Sequence, residues 1–204
     1  MTVVPLSDHP LFVDHGLMAA IACGVQARSS HWAVVEKTFL TAHPTCLACG
    51  AADSGPCIAC LSIGPACSRC GGSGREPLNI HHVFDFHEAV ALGRPDLELD
   101  PRNLCTLCRA PGTEHHLLLG HLDDWQSFNP DLLDDVKTFG HMAASAIRAD
   151  ERWIAKKQNR PLVFSLWDPA LKDSWRTRLD ATLPPDKALC DRYGFTIKPY
   201  EAAA

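Results

Sequence analysis

Four Cys-x-x-Cys pairs dominate the chemistry open to this chain: Cys46/Cys49, Cys57/Cys60, Cys67/Cys70 and Cys105/Cys108. A two-residue gap is the spacing of a metal knuckle, whose backbone turn aims two thiolates at one ion. Eight thiolates satisfy two tetrahedral zinc ions, whereas disulfide frameworks belong to small secreted chains. The remaining two of the ten cysteines, Cys23 and Cys190, have no such partner and read as ordinary buried thiols. A second set of polar residues follows: His81-His82, Asn103 and His115-His116. An imidazole near neutral pH can take a proton from water or ligate an ion.

The elements around these residues can be read from spacing. Trp32, Val35, Phe39 and Leu40 recur at helical intervals, which predicts a helix from His31 to Ala42, ending before Pro44. A short helix across Gly16 to Val25 is a weaker expectation. Residues Cys46 to Gly74 are rich in Cys, Gly, Pro, Ser and Ala, so they cannot make a core and must be held by metal. Leu78 to Phe84 alternates and predicts a strand, Gly93 to Arg102 a loop, and Leu104 to Leu107 a short second strand. His115 to Trp125 and Leu132 to Lys157 carry helical spacing, and the Trp- and Pro-rich tail from Leu162 onward reads as irregular chain. On this reading residues 1–30 are an extension, 31–130 the core with an inserted knuckle over 51–74, and 131–204 a helical and irregular C-terminal extension.

Charge gives a mixed signal. A net charge of −5 argues mildly against a nucleic-acid partner, which favours a basic footprint. From Glu76 to Pro130 nine acidic residues face three basic ones, a stretch that could hold a cation. From Arg148 to Arg160 five basic residues stand against two acidic ones, a helix that could hold phosphates. No apolar run approaches the length that spans a bilayer, and Met1 to Asp14 lacks the pattern of a secretory signal. A cytoplasmic protein without a membrane partner is the expectation.

Strand, loop, strand, helix is the order of a ββα-metal finger, and the polar residues fall on it in sequence. Ile80-His81-His82-Val83, Leu97-Glu98-Leu99-Asp100-Pro101-Arg102-Asn103-Leu104, Leu107-Cys108 and His115-His116-Leu117-Leu118-Leu119-Gly120-His121 together resemble the HNH endonuclease family. His43-Pro44-Thr45-Cys46-Leu47-Ala48-Cys49-Gly50 belongs to the same pattern, and the resemblance covers roughly Arg28 to Pro130. It implies an α+β fold, a ββα-metal (HNH) core stapled by zinc knuckles, with flanking helices. It further implies metal-dependent hydrolysis of DNA phosphodiester bonds, with DNA as partner. His82 would be the base that activates water. His81 and either His115 or His116 would bind one catalytic divalent ion (Mg²⁺, Mn²⁺, Ni²⁺ or Zn²⁺), and Asn103 would hold the loop and orient His82 through its amide. Adjacent strand residues point to opposite sides, so a turn or bulge at the strand end is required to bring His81 and His82 into one site.

Two departures from the family pattern carry expectations of their own. Where a proline commonly follows the His-His pair stands Asp85, and where a cysteine often precedes the helical histidine stands Glu114. Cys105 is a replacement for that cysteine, which makes Cys46, Cys49, Cys105 and Cys108 one structural zinc set. Cys57, Cys60, Cys67 and Cys70 then form an inserted second knuckle, although Cys46/Cys49 could share an ion with Cys67/Cys70 instead. Cys67 to Gly74 resembles one repeat of the cysteine-rich zinc region of J-domain co-chaperones, with nothing of a J-domain visible. Asp85, His87 and Glu88 read as surface residues, and His121 as a packing or capping residue. A non-catalytic zinc-scaffolded binding module is the main competing reading. A chaperone-like or redox protein using the cysteine pairs directly is the third.

Overall fold

The computed structural model describes residues 28–57, 60, 70, 72–110, 112–161 and 169–197. The expected helix across Gly16 to Val25, Cys23 and Cys67 lie outside them. The fold is α+β: a two-stranded antiparallel sheet surrounded by short helices. No helix among the described residues is long and apolar enough to cross a membrane.

Helix α1 runs Trp32–Ala42 and stops two residues before Pro44, as its spacing predicts. Strand β1 is Asn79–His82, shorter than the alternation suggested, and β2 is Leu104–Leu107. They pair antiparallel, with Asn79 opposite Leu107 and His82 opposite Leu104. Between them lie helix α2, Phe86–Ala91, and two 3₁₀ turns at Pro95–Glu98 and Pro101–Asn103. Helix α2 was not legible as such. Its start is fixed by Asp85, whose carboxylate accepts hydrogen bonds from the His87 and Glu88 amides. Glu88 is fully buried there rather than on the surface.

Beyond β2 the expected helix from His115 shrinks to one wide π-type turn, His116–Gly120. The single helix expected from Leu132 to Lys157 is three: α3 Leu132–Phe139, α4 Ala144–Ala149 and α5 Glu151–Gln158. Gly140 follows α3 without a side chain to hold the turn, and its site leaves no room for one: an added Cβ would lie 2.6 Å from the Val136 carbonyl. Asp150 is extended and caps α5 by accepting from the Arg152 amide, which breaks α4 from α5.

The tail is also more regular than its composition suggested. Helix α6 spans Pro169–Thr182 and α7 spans Lys187–Tyr193, separated by Pro184 and Pro185. Trp175, Leu179 and Leu183 recur every four residues and pack against Phe84, Leu97 and Phe128, and this burial orders the helix despite its polar remainder. A second cluster joins Leu78, Leu107, Leu118 and Leu119 to Ile147 and Trp153, so α3 to α5 share a core with the sheet.

One buried cation ties the halves together. Arg94, fully buried, donates to both Asp96 oxygens, to Asp180 at 2.7 Å and to the Leu183 carbonyl at 2.9 Å. Arg176 reaches back to the Leu92 carbonyl. A buried charge persists only when its hydrogen bonds are met, so the loop before β2 depends on α6 for its shape.

Candidate metal centres

Cys46 and Cys49 sit on a knuckle closed by the Gly50 amide donating to the Cys46 carbonyl at 2.8 Å, with Gly50 at φ +73°. The Leu47 amide donates to the Thr106 carbonyl at 2.8 Å and the Thr106 hydroxyl to the His43 carbonyl at 2.9 Å, which lays the knuckle along β2. There it meets Cys108 and His115. The His115 Nδ1 lies 3.3 Å from the Cys108 sulfur and 3.7 Å from the Cys46 sulfur, and the Cys49 and Cys108 sulfurs are 3.8 Å apart. All four ligand atoms fall within 4.8 Å of one another. Three thiols and one imidazole at that spacing suit a tetrahedral zinc ion. A hydrogen bond from Cys46 holds the Cys108 thiol well below its usual range, leaving a thiolate to ligate.

Cys105 is not part of this set, against expectation. The chain stays extended from Leu104 to Leu107, so Cys105 and Cys108, three apart, leave on opposite faces and cannot form a knuckle. Cys105 pairs with His81 across the sheet, and burial pushes its thiol up to about 12. His115 stands as the fourth member of the group in its place. Replacing Cys105 with alanine should therefore leave the zinc content of the purified protein unchanged, as inductively coupled plasma mass spectrometry would report; loss of an ion would restore the four-thiolate set.

Cys57, Cys60 and Cys70 form a second group within 4.8 Å, with the Cys60 and Cys70 sulfurs 3.2 Å apart. The Cys57 amide donates to the Gly74 carbonyl at 2.9 Å, and Asp53 pairs with Arg75 at 2.6 Å, closing the base of the insert. The Cys60 hydrogen bond lowers the Cys70 thiol to about 6.

The third group holds only histidines. Nitrogens of His81, His116 and His121 lie within 4.8 Å, and their rings meet edge to face with centroids 4.9 to 5.1 Å apart. His116 and His121 flank the π-type turn. On an α-helix residues five apart diverge by about 140°; a turn wound to five-residue hydrogen bonding brings them onto one side. That winding is why His121, expected to pack or cap, faces the other two. The signal available in sequence was the His-x₄-His spacing together with Gly120. An added Cβ there would lie 3.0 Å from the His81 ring, so glycine lets the turn close on it.

Protonation favours metal at this spot. Burial lowers His81 well below its usual value, brings His116 to about 3 and lowers His121, so all three are neutral at pH 7. The His121 Nδ1 is 2.8 Å from the Ser127 carbonyl, which can only accept, so this nitrogen carries the proton and Nε2 keeps a lone pair. His81 Nε2 and His116 Nδ1 are buried with no hydrogen-bond partner. A divalent ion would satisfy them. Gly120→Ala should push the His81 ring aside and weaken metal binding at this group about ten-fold or more, measured by cobalt titration.

Comparison with family models, curated proteins and solved structures finds no match to this chain. The site therefore rests on its own geometry.

His82 lies apart from the three. No bulge interrupts the β1–β2 register, so His81 and His82 leave opposite faces of the strand, contrary to the expected turn. Its ring stacks on Trp32, with centroids 5.0 Å apart, and its Nε2 is 3.0 Å from the Glu98 carbonyl. Burial lowers it to about 4. Asn103 holds the loop as expected but does not touch His82. Its Oδ1 accepts from the Phe84 amide at 2.7 Å, and its Nδ2 donates to the Phe84 and Leu97 carbonyls at 3.0 Å. By fixing Leu97 it places the neighbouring Glu98 carbonyl on His82.

Proposed function

We propose that the chain is a metal-dependent endonuclease of the HNH type, hydrolysing DNA phosphodiester bonds. The observation that carries the proposal is the group of three neutral imidazoles, buried His81 and half-buried His116 and His121, borne by the first strand and the helical turn of a strand–loop–strand–turn unit. The HNH resemblance names two of these positions, His81 and His116, as ligand candidates.

His81, His116 and His121 would hold a divalent ion, which would supply Lewis-acid polarisation of a phosphoryl oxygen and stabilisation of the leaving 3′ oxygen. His82 donates from Nε2 to the Glu98 carbonyl, which leaves Nδ1 as the acceptor for a water proton. Asn103 positions rather than reacts, through the Leu97–Glu98 backbone. Strand alternation sets the base and the three-histidine group on opposite sides of β1. The two can act on one phosphate only if the end of β1 turns on substrate binding, so that His82 comes out from beneath Trp32 to the three-histidine side. The zinc-like groups at Cys46/Cys49/Cys108/His115 and Cys57/Cys60/Cys70 act as staples.

The burial of His82, 7% exposed beneath Trp32, favours a second reading: a binding module that retains the finger without cutting. Supercoiled-plasmid nicking decides between them. Wild type with Mg²⁺, Mn²⁺, Ni²⁺ or Zn²⁺ should nick, EDTA should stop it, and His121→Ala should lose the metal response while keeping the thiolate-bound zinc. A zinc-loaded, folded wild type that leaves plasmid intact with every metal would favour the binding module.

A further inference from the structure

Once the histidine groups are set aside, two N–H donors among the described residues remain buried without a partner: Trp153 Nε1 and Arg160 Nε. They line the same cavity, of about 340 Å³, together with Asp123, Arg148, Ile154 and Lys157. Trp153 is 1% exposed, wedged edge-on against Phe139 at 5.5 Å, so its indole cannot turn to water. Both orphan groups are donors only, and a buried donor costs free energy until an acceptor reaches it.

The walls say which acceptor. Arg148, Lys157 and Arg160 are three cations. Asp123 takes both bonds from Arg148, at 2.7 and 2.8 Å, and one from Lys157 at 3.3 Å. Asp124 takes Arg160 Nη2 at 2.7 Å, while Arg160 Nη1 donates to the Lys157 carbonyl. These bonds fix the guanidinium of Arg160 and leave its Nε free to donate to a guest. Asp123, Asp124 and Glu114, which lies 4.0 Å from Arg148, offset the three cations, but none of these carboxylates reaches the two orphan donors. One water could accept from both, but an oxyanion makes the stronger, charge-assisted bond to a guanidinium Nε–H while bridging to the indole N–H.

We propose that this cavity binds a phosphate oxyanion, with Trp153 and Arg160 as its direct donors and Lys157 and Arg148 supplying charge. Asp123 and Asp124 are two and three residues beyond His121, so the cavity adjoins the three-histidine group along one turn of chain. A nucleic-acid backbone phosphate is one source and free phosphate another; only the first of these rests on the nuclease reading.

The test follows the indole N–H resonance of Trp153 by ¹H–¹⁵N NMR in the full-length, zinc-loaded protein, assigned with Trp153→Phe. Inorganic phosphate is titrated against sodium chloride at equal ionic strength, then a short oligonucleotide without terminal phosphates. A saturable shift with phosphate, absent with chloride and weakened about ten-fold in Arg160→Lys, is expected for one lost charge-assisted bond. Arg160→Lys keeps the charge at a partly exposed position, so it separates Nε–H from bulk charge without testing the core. A shift with the oligonucleotide alone supports the site with backbone phosphate as its occupant. No shift with either, or one unchanged in Arg160→Lys, overturns it. Plasmid nicking without any such shift would leave the nuclease reading standing and the cavity proposal refuted; the reverse pair of results would do the opposite.

Discussion

Cys108→Ser should abolish cooperative folding of the whole chain. Cys108 is fully buried, directly follows β2, and its amide donates to the Cys46 sulfur at 3.4 Å. Its sulfur is the member of the set most inclined to be a thiolate. Structural zinc contributes on the order of 10–16 kcal/mol in small zinc domains. A domain's whole stability is about 5–15 kcal/mol. Losing one of four ligands therefore removes an amount comparable to the total. The knuckle, β2 and the π-type turn all meet at this point, so no part of the sheet is spared. Circular dichroism against temperature should show no sharp transition, and metal analysis one tightly held zinc fewer. Cys60→Ser is the contrast: it should cost one zinc from the insert and leave the main transition within a few degrees of wild type. Equal damage from both would mean that the insert, rather than Cys46/Cys49/Cys108/His115, organises the core.

The second large effect concerns His82. On the nuclease reading His82→Ala should lower plasmid nicking by about 10²- to 10⁴-fold, the usual contribution of a positioned acid or base. Folding and zinc content should be retained, with a modest fall in melting temperature from the lost stacking on Trp32. Added imidazole should recover part of the rate, since the space left between Trp32 and the Glu98 carbonyl matches it. Undiminished nicking by the variant would remove His82 from the reaction and leave the proton to bulk water.

Local pattern and chain direction differed in how well they could be read. Strand β2 and helix α1 stand where alternation and helical spacing put them, because both are decided by residues within one turn or one pleat. Asn103 could be singled out because a buried amide at a strand start must find hydrogen-bond partners, and it makes three such bonds, to Phe84 and Leu97. The ligand set failed where backbone winding decided it. Cys105-x-x-Cys108 has the letters of a knuckle, yet a knuckle needs a turn and pairing with β1 keeps this stretch extended. His121 fell outside the site under α-helical counting and inside it under the wider turn that Gly120 permits. The Glu98 contact to His82 uses a backbone carbonyl, which leaves no trace in side-chain identity. Helix α6 was hidden by its mostly polar face; only Trp175, Leu179 and Leu183 betray it, and their partners lie some fifty to ninety residues earlier.

The Arg94 latch sets an order of events during synthesis. Its guanidinium finds Asp96 two residues away, but Asp180 and the Leu183 carbonyl are made 86 and 89 residues later. Until then the loop that carries Glu98 and Asn103 lacks its outer support, and His82 lacks a fixed carbonyl to hold its ring. A chain cut before α6 would still carry Cys46, Cys49, Cys108 and His115 and yet lack the fixed carbonyl beside His82. On the nuclease reading, competence to cut would thus wait until α6 has been made and docked.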